Sequence, residues 1–286
     1  MKRVGLLGCG TIGSAIALAI ENRSIQAELT HIYDASRAAA ESLASRLPGP
    51  GPEITSNPNL LFTSRTDIIV EAAAQQALRD SALAVIQNRK DIMIMSVGSL
   101  LDDSIHDVIF EAAREFGTRI IIPSGAIAGL DGIRAVRDKL ERVTLTTTKH
   151  PDSLRGAPFF DESDAVPDGI TSPVVLYEGP AVDAVSLFPA NVNVAAALSL
   201  AGIGGSRTVV RMVADPNTDR NTHRVEASGA FGRMTFEIEN VPSPTNPKTS
   251  WLAVLSAIEA LAGYCSDDGS SSSNNNSRRN GATYNR

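Results

Sequence analysis

The chain has 286 residues, of which 43% are hydrophobic and 20% charged, and this ordinary globular composition excludes collagen-like and wholly disordered chains. At about 150 residues per domain, the length predicts two domains or one large one. Acidic side chains outnumber basic ones by 32 to 26, and the resulting net charge of −6 argues against binding to nucleic acid.

The cysteine count and the apolar runs narrow the class of protein further. Cys9 and Cys265 are too few for a disulfide framework or a four-cysteine zinc site, and we predict no bound metal. No apolar run reaches the roughly 20 residues that span a bilayer, and glycines interrupt the N-terminal apolar stretch where a signal peptide would continue. We therefore expect a cytoplasmic protein that binds neither membrane nor nucleic acid.

Short apolar runs alternate with helical patterns over the first 125 residues. Strands are predicted at residues 4–7, 29–33, 68–70, 92–97 and 120–122. Helices are predicted at residues 14–22, 36–46, 75–88 and 104–116. Apolar strands separated by helices are typical of a parallel sheet covered on both faces. Residues 1–125 therefore predict a doubly wound α/β domain of the Rossmann type.

The pattern changes after about residue 130. Strands are predicted at residues 142–148, 174–177, 207–213, 224–227 and 234–238, with one helix at 192–200. The first of these alternates Val and Leu with Thr, which indicates a sheet with one solvated face. Residues 126–245 therefore predict a second α/β domain with a mixed or antiparallel open sheet.

Two segments follow the second domain. A helical pattern at 249–264 predicts a final helix within residues 246–265, and we expect this helix to complete the first domain. Residues 266–286 consist mostly of Ser, Asn, Asp, Gly and Arg, a composition that cannot bury enough apolar surface to fold, and they predict a disordered tail.

A glycine motif lies between the first predicted strand and helix. Residues 8–13, GCGTIG, match G-x-G-x-x-G in the strand-to-helix context that the motif requires. In this interpretation Gly8 permits a tight turn, Gly10 lets the backbone approach a pyrophosphate, and Gly13 allows close packing of helix on strand. Thr11 and Ile12 complete the set of motif residues predicted to bind the cofactor, just before the predicted helix whose N-terminus would donate N–H groups to the phosphates. We interpret Cys9 as a small residue packed in the turn rather than a redox thiol.

An acidic residue lies where a dinucleotide site needs one. Asp34 ends the second predicted strand about 20 residues after Gly13, in position to accept hydrogen bonds from the ribose hydroxyls of NAD. Its charge would repel the 2′-phosphate of NADP. Arg37 follows three residues later and could offset that charge, so NADP remains a possible second cofactor.

One of the four histidines stands in a context that suits catalysis. His223 follows the polar segment at 215–222 and precedes a predicted strand, a position from which loops deliver side chains into clefts. His31, His106 and His150 lie in contexts typical of an edge, a surface helix and a loop. On context alone His223 is either a catalytic group or a structural histidine.

Several segments carry a resemblance to a known family. The run VEASGAFG at 225–232 and the preceding ADPNTDRNTH at 214–223 resemble the L-aspartate dehydrogenase family. So do PSGAIAGLDG at 123–132, LFPANVNVAAALSLAG at 187–202 and NPKTS at 246–250. The resemblance extends from residue 1 to about residue 264 in consistent order.

The resemblance implies a function and the roles of three residues. It implies that His223 is the catalytic acid/base and that Ala126 and Asn191 contact the dinucleotide. It also implies an NAD-dependent oxidation of L-aspartate to iminoaspartate, which hydrolyses to oxaloacetate and ammonia. It further implies a possible role in NAD biosynthesis. The family's open sheet implies a homodimer or higher homo-oligomer. An unperturbed histidine pKa of about 6.5 suits the proton transfer.

Some alternatives stay open at this point. Homoserine dehydrogenase and dihydrodipicolinate reductase are related Rossmann enzymes, and an NAD(H)-binding sensor would need no acid/base at position 223. The substrate carboxylates require cationic partners. Four candidates, none of them assigned, are Arg207, Arg211, Arg224 and Lys248.

Overall fold

The computed structural model describes residues 1–163 and 166–267, and these form two compact units. The first unit contains Met1–Ser96, Ser104–Pro123 and the described residues from Val254 onward. The second contains Val97–Asp103 and Ser124–Ala253. The predicted tail at 266–286 lies outside the described residues, except for Asp267 and for Ser266, which ends the last helix.

The first unit is built on a six-stranded sheet in which every neighbouring pair is parallel. Its strands are β1 (Lys2–Leu7), β2 (Ala27–Tyr33), β3 (Glu53–Ile54), β4 (Ile68–Glu71), β5 (Asp91–Ile94) and β6 (Ile120–Ile121). Their order is β3-β2-β1-β4-β5-β6, so the direction of winding reverses between β1 and β4. This is the strand order of the doubly wound nucleotide-binding fold, and it confirms the predicted fold class.

Helices of the first unit bury one apolar side against this sheet. They are α1 (Thr11–Glu21), α2 (Arg37–Ala44), α3 (Pro58–Thr63), α4 (Gln75–Gln87), α5 (Asp103–Phe116) and the last helix of the chain, α10 (Trp251–Ser266). In α1 the buried Ile16 and Ile20 are four residues apart and therefore share one side of the helix. They join Leu6 and Ile32 of the sheet in one apolar core.

The helix α10 packs in the core of the first unit although the whole second sheet precedes it in the chain. Ala257 and Leu261 are fully buried there. The Tyr264 hydroxyl donates to Asp91 at 2.8 Å, and the Arg119 guanidinium lies 4.4 Å from the Tyr264 ring centre. A tyrosine that is both packed and hydrogen-bonded holds the end of α10 at the start of β5.

The start of this helix corrects the sequence prediction. Residues 246–250, which we placed in the helical segment, form strand β13 (Asn246–Ser250), and α10 begins at Trp251. Strand β13 pairs with β12 (Pro242–Ser243) in an antiparallel hairpin, with Pro242 opposite Ser250. The backbone of this segment is therefore engaged in sheet hydrogen bonds and is not available to a helix.

The second unit is built on a mixed five-stranded sheet, as predicted. Its strands are β7 (Leu140–Lys149), β8 (Val174–Pro180), β9 (Thr208–Ala214), β10 (Asn221–Gly229) and β11 (Gly232–Asn240). Their order is β11-β10-β7-β9-β8, with β7 and β9 parallel and the other neighbours antiparallel. The unit also contains helices α6 (Leu130–Ala135), α7 (Phe159–Glu162), α8 (Ala181–Leu187) and α9 (Asn193–Ala201).

Alternation along these strands gives the second sheet one buried and one exposed side. The buried side is apolar over most of its length, with Val143 and Leu145 on β7 and Val225 on β10. Polar side chains replace apolar ones toward one end of this side, at Thr147 on β7 and His223 on β10. A buried polar end on an otherwise apolar surface is where a site would be expected.

Short elements were missed by the sequence analysis. These are β3, α3, α6, α7, α8 and the hairpin of β12 and β13. Residue 97, placed in a strand, begins instead a 3-10 turn at Val97–Leu101. Elements of two to seven residues show too little periodicity for a pattern to be recognised. Across the described residues, no helix combines the length and the apolar character needed to cross a membrane.

Candidate active site

The glycine motif forms the turn from β1 to α1, and two of its glycines are required by close packing. Gly8 has φ of +101°, and a Cβ atom there would lie 2.5 Å from the Ala72 carbonyl oxygen. A Cβ atom at Gly13 would collide with the Gly8 carbonyl oxygen. The start of α1 can therefore approach β1 and the end of β4 only without side chains at these positions.

Gly10 differs from the other two glycines because a Cβ atom there would meet nothing within 4 Å. It is the N-cap of α1, and no side chain caps that end or places a negative charge in its first turn. The first N–H groups of α1, at Thr11 and Ile12, therefore have no capping acceptor from the helix's own side chains. Such an end is suited to an anionic ligand such as a pyrophosphate.

Asp34 follows β2 and holds the glycine turn through its carboxylate. It accepts hydrogen bonds from the Cys9 N–H at 2.7 Å and from the Ser36 N–H at 2.8 Å. A carboxylate has about four acceptor positions, so two remain for a ligand. Arg37, considered above as a partner for a 2′-phosphate, forms an ion pair with Glu41 at 2.8 Å.

The Cys9 side chain is buried, and burial together with the nearby Asp34 raises the pKa of its thiol to about 12. The thiol is therefore protonated at neutral pH and is a poor nucleophile. Its environment is that of a packing residue in the turn.

Glu71, which the sequence analysis overlooked, supports the turn from the neighbouring strand. It is fully buried at the end of β4 and accepts hydrogen bonds from the Ala73 N–H at 2.9 Å, the Ser96 N–H at 3.0 Å and the Ser96 hydroxyl at 2.7 Å. Burial raises the pKa of Glu71, and these hydrogen bonds oppose the shift. The carboxylate fixes the backbone after β4 against which Gly8 packs.

His223 is the third residue of β10 and points to the buried side of the second sheet, where it is 2% exposed. Its Cα pairs with that of Thr147 on β7, and its Nδ1 lies 3.0 Å from the Thr147 Oγ1. Burial and the nearby Lys149 lower the pKa of His223 to about 3. The sequence analysis expected a pKa near 6.5 for His223, and this expectation is wrong for the free protein. With the lowered pKa the imidazole is neutral throughout the physiological pH range.

Lys149, the last residue of β7, was not predicted as a site residue. Its ammonium donates to the Asn191 Oδ1 at 2.7 Å, and burial lowers its pKa to about 8. The structure thus brings Asn191 close to His223 through a buried lysine. We name the four side chains of Thr147, Lys149, Asn191 and His223 the histidine cluster.

A signal for Lys149 was present in the sequence. The segment VTLTTTK at 143–149 alternates, and its buried positions are Val143, Leu145, Thr147 and finally Lys149. A lysine on the buried phase of a strand is uncommon, because burying an ammonium group is costly.

Ala126, the other residue implied to contact the dinucleotide, also belongs to the second unit. It is buried, and its carbonyl oxygen accepts a hydrogen bond from the Asn240 side chain at 3.0 Å. Asn240 ends β11 and pairs with Asn221, which lies two residues before His223 on β10. The backbone at Ala126 is thereby tied to the same end of the second sheet as the histidine cluster.

The three arginines considered for the substrate carboxylates are not part of the histidine cluster, and the side chain of Lys248, the fourth candidate, lies outside the described side chains. Arg211 pairs with Glu178 at 3.4 Å, and Arg224 pairs with Glu237 at 3.2 Å. Their side chains and that of Arg207 are exposed. The remaining histidines, His31, His106 and His150, are not part of the histidine cluster, and each contacts a nearby polar side chain or N–H group.

Comparisons with known proteins match two stretches of the chain to described families. Residues 8–123 match the family described as homoserine dehydrogenase, NAD binding domain, and residues 131–264 match the family described as aspartate dehydrogenase, C-terminal. A glycine turn opening α1 in a parallel sheet, together with these matches, defines an oxidoreductase of the nicotinamide-dependent dehydrogenase class.

Relatives over the whole chain define the family. The L-aspartate dehydrogenase of Nitrosopumilus maritimus is 60% identical over 268 residues, 94% of this chain and 98% of the relative. That of Methanocella arvoryzae is 45% identical and covers 93% of this chain and 97% of the relative. The crystal structure of aspartate dehydrogenase from Thermotoga maritima aligns with a TM-score of 0.71 at 26% identity, covering 92% of this chain and 97% of that one. The chain belongs to the L-aspartate dehydrogenase family.

Proposed function

We propose that this protein oxidises L-aspartate with NAD, giving iminoaspartate, which water hydrolyses to oxaloacetate and ammonia. The observation that carries the proposal is the histidine cluster, in which a neutral imidazole and a buried ammonium group lie together on one side of the second sheet. A proton acceptor beside a cation is what an anionic amino acid requires when its ammonium group must lose a proton.

The first unit fits a dinucleotide cofactor. We propose that Gly8, Gly10, Thr11, Ile12 and Gly13 hold the pyrophosphate and that Asp34 holds the ribose. The open space at Gly10 and the uncapped start of α1 support this assignment. The chemistry that a bound nicotinamide would supply there is acceptance of the hydride from the substrate Cα. The pairing of Arg37 with Glu41 supports NAD over NADP, because it leaves the charge of Asp34 to oppose a 2′-phosphate.

We propose that Nε2 of His223 accepts the proton from the substrate ammonium group. The free amine then provides the lone pair that becomes the C=N bond as hydride leaves Cα. For this role the neutral ring must carry its hydrogen on Nδ1, which donates to the Thr147 hydroxyl oxygen at 3.0 Å. Thr147 is then a positioning residue that selects the tautomer.

The charge of the bound substrate would change the pKa of His223. In the free protein the ammonium of Lys149 disfavours a second positive charge on His223. A dicarboxylate bound beside both groups favours their charged forms and raises the pKa of His223. The histidine would therefore become an effective base once the substrate is in place.

Ala126 and Asn191 are proposed to contact the dinucleotide, as the resemblance implies. For Asn191 the contact would involve the side-chain amide nitrogen, since the oxygen already accepts from Lys149. We further propose that the iminoaspartate supplies NAD biosynthesis and that the protein is a homodimer or larger homo-oligomer.

One assay tests the function directly. Purified protein is mixed with NAD and each of a panel of amino and hydroxy acids, and absorbance at the NADH band is followed. We expect reduction with L-aspartate well above that with homoserine, glutamate or malate. Binding of NADH without turnover of any acid in the panel would instead indicate a sensor.

A further inference from the structure

Lys149 is placed where a strand of the second sheet would ordinarily carry an apolar residue. The buried side of β7 runs through Val143, Leu145 and Thr147 to Lys149, which is 5% exposed. Removing an ammonium group from water is costly unless a partner or ligand compensates for the lost hydration.

The protein itself provides little of that compensation. Among the side chains that the structure describes, the hydrogen-bond partner of the Lys149 ammonium is Asn191 Oδ1 at 2.7 Å, and no carboxylate forms an ion pair with it. An ammonium group has three N–H donors, so two remain. Buried polar groups in folded proteins are nearly always satisfied, and an exception calls for an explanation.

The position of His223 indicates what the missing partner is. The strand partner of His223 is Thr147, and Lys149 lies two residues further along the same buried side of β7. The Lys149 ammonium lowers the pKa of the imidazole, and no acidic side chain of the described residues offsets that effect. The histidine cluster therefore has an excess of positive charge and free donors, a combination suited to an anionic ligand.

We propose that Lys149 is a substrate-binding residue that donates to a carboxylate of the dicarboxylate substrate, with Asn191 orienting its ammonium. The inference rests on the proposed function. It identifies the cationic partner that the substrate carboxylates require, a role that none of the exposed arginines fills. It divides the work within the cluster, with His223 moving the proton and Lys149 holding the substrate.

The proposal predicts a split between KM and kcat. In Lys149→Met we expect the KM for L-aspartate to rise about 10- to 100-fold, the range for loss of a hydrogen bond between charged groups. We expect the Kd for NAD to stay within about twofold of the wild-type value and Lys149→Arg to retain part of the substrate affinity. Lys139→Met is the matched control, since Lys139 is exposed just before β7, and its KM should be unchanged.

The Met variant is expected to fold, because replacing a buried charge with an apolar chain of similar length removes a desolvation cost. Circular dichroism and the melting temperature check this point. Asn191→Asp is a second variant, in which the new carboxylate would neutralise Lys149 and compete with the substrate, so its KM should also rise.

A binding measurement separates failure of this inference from failure of the proposed function. Succinate and oxaloacetate are titrated into each variant with NADH present, and the heat of binding is recorded. If the wild-type protein binds these dicarboxylates and Lys149→Met does not, the result supports a carboxylate site at Lys149, even if aspartate proves not to be oxidised. The inference is overturned if folded Lys149→Met keeps both its KM for L-aspartate and its Kd for the dicarboxylates within threefold of the wild-type values. It is also overturned if the substitution lowers only kcat, or if the wild-type protein binds neither succinate nor oxaloacetate.

Discussion

The glycine turn of the first unit and the histidine cluster of the second are built in different ways. The turn is one continuous stretch, residues 8–13, between β1 and α1. The histidine cluster takes Thr147 and Lys149 from β7, Asn191 from the segment before α9 and His223 from β10. One site depends on the conformation of a few neighbouring residues, and the other depends on strand pairing across the sheet.

This difference changes what a single substitution does. In the turn, the backbone provides the binding groups, so added side-chain atoms obstruct the site or distort it. In the histidine cluster, side chains provide the chemistry, and removing one leaves a buried partner without its contact.

Replacing His223 tests whether the cluster carries the chemistry. His223→Ala should lower kcat by about 10²- to 10⁴-fold, the usual contribution of a general acid or base, while the Kd for NAD stays near the wild-type value. His223→Asn should be no better than Ala, because an amide does not accept a proton near neutral pH. A His223→Ala enzyme that retained most of its turnover would leave the proton transfer to another group and favour the sensor interpretation.

The glycines of the turn allow a matched comparison within six residues. Gly13→Ala should lower the free energy of unfolding by about 1–3 kcal/mol, because its Cβ meets the Gly8 carbonyl. Gly10→Ala meets no atom of the protein within 4 Å, so it should melt near the wild-type temperature yet bind NAD at least about tenfold more weakly. Thermal unfolding and NADH titration of both variants measure the two effects. Equal NAD affinity in Gly10→Ala and wild type would show that the pyrophosphate does not approach this backbone.

Asp34 tests the choice of cofactor. Asp34→Ala should reduce kcat/KM for NAD and raise it for NADP relative to NAD, by about tenfold or more, because an acceptor and a repelling charge are removed together. Asp34→Asn is the control that keeps one acceptor for the Cys9 N–H while removing the charge. If the NADP-to-NAD ratio does not change in either variant, Asp34 does not contact the ribose.

The smallest expected effect is on the pH dependence of the free energy of unfolding, and it again involves His223. Its pKa is lowered to about 3 in the folded protein, whereas an unfolded histidine titrates near 6.5. Between these values only the unfolded chain binds the proton, so His223 should reduce stability as the pH falls from 6.5 toward 3. Urea unfolding at pH 7.5 and pH 5 should show a larger loss for wild type than for His223→Gln.

Kinetics give a second measure of the same shift. Since kcat/KM reports the free enzyme and kcat the substrate complex, the acid limb of kcat should lie at higher pH than that of kcat/KM if bound carboxylates raise the histidine pKa. Coincident acid limbs near pH 6.5 would contradict the buried, neutral histidine described here.

Much of the fold was accessible from local patterns. The apolar runs at 4–7 and 68–70 and the helical period at 75–88 gave the parallel sheet, because strands covered on both faces and amphipathic helices leave distinct spacings. The two-residue strand β3 and the short helices were missed, because they are stabilised by their neighbours rather than by a period of their own.

The amino-acid sequence by itself determined the glycine turn, the position of Asp34 at a strand end and the delivery of His223 to a strand. Each depends on residues close together in the chain, where backbone sterics and strand or helix periods act directly. Only the tertiary structure decided that Lys149 and Asn191 join His223, that Arg211 and Arg224 form exposed ion pairs, and that the imidazole is neutral. Those outcomes depend on strand register and burial, which bring together groups far apart in sequence and set the cost of their charges.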